Sequence, residues 1–267
     1  MQDSFIDIGA NLTDQSFDQD RDKIIEDSFK NGIEQIIVTS SSVNESLKSI
    51  KLARSYKGNI WATAGIHPHN ASNASENFKE DLMAILNHHE VVAIGECGLD
   101  YFRNFSSKEE QRNIFKGHLE LAHKVDLPLF LHQRDAHDDF LGMIKDYGPK
   151  ELKGVAHCFT GSKEQMESYL DLGLYIGVTG WLCDSRRNSE LLGAINYIPK
   201  DRLLIETDSP YLMPKSLSKS LNTRRNEPQF LGYIAKELAN LMEISLSEIS
   251  SITRSNTKTL FAKLKAL

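Results

Sequence analysis

The sequence predicts a (β/α)8 barrel of the TIM type. Eight short apolar runs alternate with amphipathic helical stretches from Phe5 to about Phe261. Runs such as VVAIG at 91–95 and LPLFL at 127–131 are continuously apolar, as expected of parallel strands covered on both faces. Five runs deliver a residue able to hold a metal: Ile60–Gly65 leads to His67, Val91–Gly95 to Glu96, Leu129–Leu131 to His132, Gly154–Ala156 to His157 and Leu203–Thr207 to Asp208. Donors placed at strand ends along the whole chain favour a closed barrel, which assembles its site on the C-terminal rim. An open doubly wound sheet concentrates its site near one switch point.

The elements follow in order. Strand Phe5–Gly9 precedes helix Asp20–Asn31, Gln35–Thr39 precedes Val43–Tyr56, and Ile60–Gly65 precedes Glu76–His88. Val91–Gly95 is followed by Lys108–Lys124, where Ser107 and Glu110 fit a capping box that satisfies the first free N–H groups of a helix. Leu129–His132 leads to Ala136–Asp146, and Gly154–His157 to Lys163–Leu172, with Ser162 and Gln165 as a second box. Tyr175–Val178 precedes Ser189–Ile198, and Leu203–Thr207 precedes Glu227–Met242. In that last helix Phe230, Ile234, Leu238 and Leu241 recur at helical spacing and should pack on the barrel. A tail is expected from Ser245, although Ser245 and Glu248 also fit a box.

A barrel of this kind uses about 250 residues. With 267 present and no linker or low-complexity tract, one domain over residues 1–267 is expected. No apolar run approaches the roughly 20 residues of a membrane span, and Met1–Gln2–Asp3 opens no secretion signal. A cytoplasmic protein with no membrane and no obligate protein partner is expected. The net charge of −6 disfavours an extended, sequence-independent grip on duplex DNA. It leaves room for a locally positive pocket built from an ion and a few arginines. Cys97, Cys158 and Cys183 are odd in number and lack CxxC spacing, so they read as reduced barrel residues, Cys97 and Cys158 facing away from the ligands they follow.

Nitrogen and oxygen donors without thiolate suit Zn, Mn, Mg or Fe, and an ion so held would polarise an electrophile or activate water. That chemistry points to hydrolysis. Glu96, flanked by Gly95 and Gly98, can bind one ion or bridge two, with Asp100 supporting it; alternatively it pairs with an arginine. His132 and His157 close adjacent strands, which favours ligation over two separate structural roles. Asp208 lies at the mouth as a ligand or a base for the attacking water. Glu206 is either its buried partner inside the barrel or a salt-bridged structural residue. His67 is placed to meet a phosphate or the leaving group, and His69 reads as a loop residue. Arg134, Arg224 and Arg225 offer forked donors to phosphate oxygens. Trp181, Tyr101 and Phe102 either stack on unpaired bases, at about 1–3 kcal/mol per base, or pack the loops. There is no Walker loop and no GxSxG elbow.

Taken together, DIGANLT at 7–13, AGIHPH at 64–69, AIGECGLDYFRNFS at 93–106, LHQRDAH at 131–137, AHCFTG at 156–161, YIGVTGWLCDSRR at 175–187, LLIETDSPYLMP at 203–214 and RRNEP at 224–228 resemble the TatD-type metal-dependent deoxyribonucleases of the amidohydrolase-like superfamily. The resemblance implies a divalent ion bound through Glu96, His132 and His157, with Asp208 as a further ligand or catalytic base. It also implies magnesium-dependent 3′-to-5′ exonuclease action on single-stranded DNA or RNA, a cytoplasmic location and a role in DNA repair. Substrate contacts fall to His67, Arg134, Arg225 and Trp181. Gly9 and Asn11 stand where the wider superfamily carries His-x-His, so two imidazole ligands are missing. One or two ions are expected, and the reduced nitrogen set favours hard, hydrated Mg²⁺ over Mn²⁺ or Zn²⁺. Hydrolysis of a small phosphoester, amide or lactone, or nucleic-acid binding without catalysis, are the competing functions.

Overall fold

A computed structural model, describing residues 3–265, contains one sheet of eight parallel strands paired in sequential order. They are β1 (Phe5–Ala10), β2 (Ile33–Val38), β3 (Ile60–Ala64), β4 (Val91–Asp100), β5 (Leu129–Arg134), β6 (Gly154–Ala156), β7 (Tyr175–Val178) and β8 (Leu203–Ile205). Closure occurs just beyond β8, where Asp208 N–H donates to Gly9 O (2.8 Å) and Asn11 N–H to Ser209 O (2.7 Å). The expected TIM barrel is therefore the fold. Met1 and Gln2, part of the segment read as opening no secretion signal, lie outside the described residues. No helix among the described residues is long and apolar enough to cross a membrane.

The helices are α1 (Arg21–Lys30), α2 (Val43–Ser55), α3 (Phe78–Leu86), α4 (Lys108–Ala122), α5 (His137–Tyr147), α6 (Lys163–Asp171), α7 (Ser189–Ala194), α8 (Lys215–Leu221), α9 (Leu231–Leu241) and α10 (Leu246–Leu260). Two were not expected. The tail read from Ser245 is α10, a 15-residue helix started by Ser245, whose hydroxyl accepts from Glu248 N–H. Its buried face includes Thr253, Asn256 and Thr257. Each of these polar side chains is satisfied by a backbone carbonyl, and Asn256 Nδ2 reaches Leu203 O at the start of β8. In α9, Ile234 and Leu238 are fully buried as expected, but Phe230 sits in a short 3-10 turn before the helix and Leu241 faces outward.

Ile6, Ile8, Ile37, Trp61, Val92, Phe130, Val155 and Leu204 form an inner core that also takes in Phe261 and Leu264 from the C-terminal segment. Lys263 Nζ donates to Val91 O (2.7 Å) at the first residue of β4, so this segment closes the N-terminal end of the barrel. The opposite rim stays free for chemistry.

The strands that carry the site depart from their expected lengths. β4 continues through Glu96 to Asp100, with its pairing to β5 shifted between Gly95 and Cys97. At that shift Gly95 adopts φ +144°, and a Cβ there would collide with Phe130 O. Only glycine fits, and Glu96 N–H is free to donate to Ser40 O (3.0 Å) instead of joining the β5 ladder. β6 and β8 stop earlier, leaving His157, Thr207 and Asp208 beyond the last paired residue.

Asp7 ties the seam between β1 and β8. Its Oδ1 accepts from Gly9 N–H (3.2 Å) and Thr207 N–H (2.9 Å), and Thr207 Oγ1 donates to Oδ2 (2.5 Å). Burial nonetheless pushes this carboxyl from 3.8 up to about 8, outweighing the three bonds. The folded protein thus keeps a proton that the unfolded chain releases near pH 4. The resulting stability is complete below that value and is lost as pH rises towards 8. The urea midpoint should fall between about pH 4 and about pH 8, and Asp7→Asn, an uncharged isostere, should flatten the fall. An unchanged slope in the variant would assign the effect to other groups.

Candidate metal centre

Glu96 on β4 is the hub of the C-terminal rim. Its Oε1 lies 3.2 Å from His67 Nε2, 2.9 Å from His132 Nδ1 and 3.1 Å from His157 Nε2. His67 follows β3, His132 lies on β5 and His157 follows β6, so the sequential strand order brings the four side chains to one place. Ligand atoms of His67, Glu96 and His132 all lie within 4.8 Å of one another and form a candidate metal site. Glu96, His132 and His157 were expected together; His67 joins them at closer range than its expected contact with a phosphate required.

Charge is balanced tightly here. Burial alone would raise the Glu96 carboxyl, but His157, His67 and the bonds from His132 and His157 outweigh it and hold the group well below the usual carboxylate range. For His157 burial works the other way, and the Glu206 and Glu96 carboxylates overcome it and push the imidazole well above its ordinary value. A pocket that keeps the buried Glu96 carboxylate ionised among imidazole nitrogens is chemically suited to a cation.

The donor set fits a divalent ion. His157 Nδ1 donates to Glu206 Oε2 (2.8 Å), which fixes the ring so that Nε2 faces Glu96, where a bound cation would take the place of the Nε2 proton. His132 Nε2 is buried, lies 3.4 Å from Asp100 Oδ2 without hydrogen-bond geometry and has no other partner among the described residues. No thiolate competes: Cys97 is turned towards Phe130 O, and burial pushes the Cys158 thiol up to about 12. His67 differs from the other two imidazoles. Its Nδ1 accepts from His69 N–H (3.1 Å), so in the neutral ring Nε2 carries the hydrogen and faces the centre as a donor.

Asp208 lines the same cleft. Asn11 Nδ2 donates to its Oδ1 (3.0 Å), while Asn11 Oδ1 accepts from Thr39 Oγ1 (2.8 Å). Burial pushes the Asp208 carboxyl up to about 7; His157 opposes this, and Glu96 and Glu206 add to it. Glu206 is fully buried behind His157 and also accepts from Cys158 N–H (2.6 Å). A family model described as TatD related DNase matches residues 6–262.

The chain belongs to this family.

It is 43% identical over 255 residues to a Salmonella typhimurium protein named 3'-5' ssDNA/RNA exonuclease TatD, covering 96% of this chain and 98% of that one. A crystal structure of a TatD family hydrolase from Entamoeba histolytica is 34% identical with a TM-score of 0.88, over 98% of this chain and 99% of the other. A TatD homologue from Escherichia coli k12 is 30% identical with the same TM-score, over 97% and 98%.

Within this TatD-family barrel the cleft has a volume of about 1540 Å³, beyond the roughly 300–1,000 Å³ of a pocket that encloses a drug-sized ligand. Arg134 and Trp181 line it. Arg225 is not brought there: its guanidinium is taken by Asp20 Oδ2 (2.6 Å) and Glu227 Oε1 (3.1 Å) beside the Phe17 ring. Arg224 is exposed. Tyr101 packs its loop through a bond from its hydroxyl to Asp139 Oδ2 (2.7 Å). Cys158, expected to face away, lines the cleft because it lies past the end of β6 with φ +47°.

Three participants had no separate signal in the sequence. His69, read as a loop residue, donates from Nε2 to Asp100 Oδ2 (2.7 Å), and Asp100 also accepts from Phe102 and Arg103 N–H. His118 on α4 accepts Ile66 N–H at Nε2 (3.0 Å) and donates from Nδ1 to Ile114 O (2.8 Å), pinning the residue before His67. Asn11, marked only as a missing imidazole, steadies Asp208.

Proposed function

We propose that the chain is a metal-dependent 3′-to-5′ exonuclease acting on single-stranded DNA or RNA, with residues 1–267 working as one barrel domain. What carries this reading is the meeting of Glu96 Oε1 with three imidazole nitrogens on the rim of a TatD-family barrel. Glu96, His132 and His157 would hold one or two divalent ions, Mg²⁺ ahead of Mn²⁺ or Zn²⁺. When bound there, such an ion polarises a phosphoryl oxygen and lowers the pKa of a water.

The remaining work belongs to the protein's own groups. Asp208, aimed by Asn11 and held near neutrality, accepts the proton of the attacking water. His67 donates from Nε2 to an anionic oxygen of the phosphate or leaving group. Arg134 pairs with a phosphate, and Trp181 offers a face to a base. Release of 5′-mononucleotides in the cytoplasm, in the service of DNA repair, completes the reading. The cleft's size favours a polymer over a small phosphoester, amide or lactone.

A time course on 3′- and 5′-labelled single strands tests it. The 3′ label should leave at once as mononucleotide while the 5′-labelled strand shortens stepwise. Chelator should stop both, added Mg²⁺ should restore them, and duplex should react more slowly. Cleavage that persists undiminished in chelator would overturn the proposal.

A further inference from the structure

A ladder of planar groups stands on the cleft rim, outside the metal centre. The Arg187 guanidinium lies 3.8 Å from the Trp181 ring centroid, Arg134 faces the same indole at 5.7 Å, and Arg134 stacks on Phe102 at 3.9 Å. Arg134, Trp181 and Arg187 line the cleft that contains Glu96, and Phe102 is 53% exposed.

This arrangement is held in advance. Trp181 Nε1 donates to Arg187 O (3.0 Å) and Trp181 N–H to Thr179 Oγ1 (3.2 Å), which fixes the indole. Arg187 Nε is held by Asp184 Oδ2 (3.0 Å), a buried carboxylate that also meets Arg186 (2.8 Å) and Lys215 (3.6 Å). Three cations share that one anion, and Arg134 has no ion pair among the described residues. This side of the cleft is therefore positive. On the side formed by the segments after β1 and β2, Arg21 and Lys48 are neutralised by Asp18 (2.5 Å) and Glu45 (2.8 Å), which leaves Lys51 as that side's cation without an ion pair among the described residues.

Phosphates are drawn to unneutralised cations, and flat π-faced groups to exposed indole and guanidinium planes. We propose that the Arg187–Trp181–Arg134–Phe102 ladder is the subsite that grips the retained strand: an unpaired nucleobase stacks on the Trp181 face that Arg134 approaches only to 5.7 Å, and Arg134, which has no ion pair among the described residues, swings aside to meet the adjoining phosphate. Asp184 is its positioning residue. A base inside a duplex has its faces covered by its neighbours, so the ladder selects single strands. This rests on the nuclease reading above and adds the element that recognises the polymer.

The test compares KM for a 5′-labelled oligothymidylate decamer with KM for bis(p-nitrophenyl) phosphate, a phosphodiester with no strand to grip, in Mg²⁺. In Trp181→Ala the ratio of the two KM values should rise about 10-fold, within the range of one lost base stack. Arg187→Lys, which keeps the charge and loses the plane, should raise it less. An abasic residue in the decamer should raise KM for the unaltered protein and add nothing further in Trp181→Ala. Should the unaltered protein turn over neither substrate, the nuclease reading falls and the ladder with it. Normal turnover of both, with an unchanged KM ratio in Trp181→Ala, overturns the ladder alone.

Discussion

Replacing Glu96 by Ala or Gln is expected to lower metal-dependent cleavage of single-stranded DNA by at least about 10²–10³-fold, the cost of removing one well-aimed electrostatic group from an active site. The reason is concentrated in a single oxygen. Glu96 Oε1 is within 3.2 Å of nitrogens from His67, His132 and His157. Without its charge a divalent ion loses an anionic ligand, and three imidazoles lose the anion they share. His157 retains Glu206, whereas His132 keeps only the looser approach to Asp100. Glu96→Gln preserves shape, so a fall in activity at an unchanged thermal midpoint reports charge, not misfolding. Mn²⁺ titration by calorimetry should show the affinity falling in step with rate. Wild-type cleavage in either variant would remove Glu96 from the chemistry.

The strand count was legible in the sequence because parallel strands buried on both faces are continuous apolar runs. Their ends were not, since pairing rather than hydropathy decides where a ladder stops. Gly95 bends β4 around Glu96 and lets it run on to Asp100, whereas β6 and β8 end before the residues they deliver. The helix α10 was hidden for a different reason: Thr253, Asn256 and Thr257 are buried through backbone hydrogen bonds and interrupt the apolar stripe that marks a helix.

Position at strand ends made Glu96, His132 and His157 readable as a group. Residues on connecting segments obeyed no such rule. The close approach of His67 to Glu96 and the bond of His69 to Asp100 depend on the path of the loop after β3, which His118 pins from α4. Arg225 was misplaced because its partner, Asp20, comes from the start of α1, about 200 residues away in the chain. Arg187 drew no attention as one of two adjacent arginines, since only folding stacks it on Trp181.

Glu206→Gln should weaken metal binding and lower kcat/KM by about 10–100-fold, the usual cost of losing the partner behind a metal-ligating histidine. Glu206 receives two donors, His157 Nδ1–H (2.8 Å) and Cys158 N–H (2.6 Å), in a fully buried position. A carboxylate has two acceptor oxygens to meet them, and an amide has one. If the glutamine oxygen turns to Cys158, its NH2 faces His157 and forces the imidazole into the other tautomer, with hydrogen fixed on Nε2, the nitrogen that would have to give up its proton to bind a cation. If it turns to His157, two N–H groups oppose each other at Cys158. Either way a buried donor is mismatched. The surrounding backbone is shaped for the carboxylate as well: a Cβ at Gly9 or Gly177 would collide with Glu206, so Gly9→Ala should reproduce part of the loss by displacing it. The glycine that stands in place of an imidazole thus makes room for the group that orients His157. Calorimetric Mn²⁺ titration of both variants against the unaltered protein decides the matter, and an unchanged dissociation constant in Glu206→Gln would show that His157 needs no carboxylate behind it.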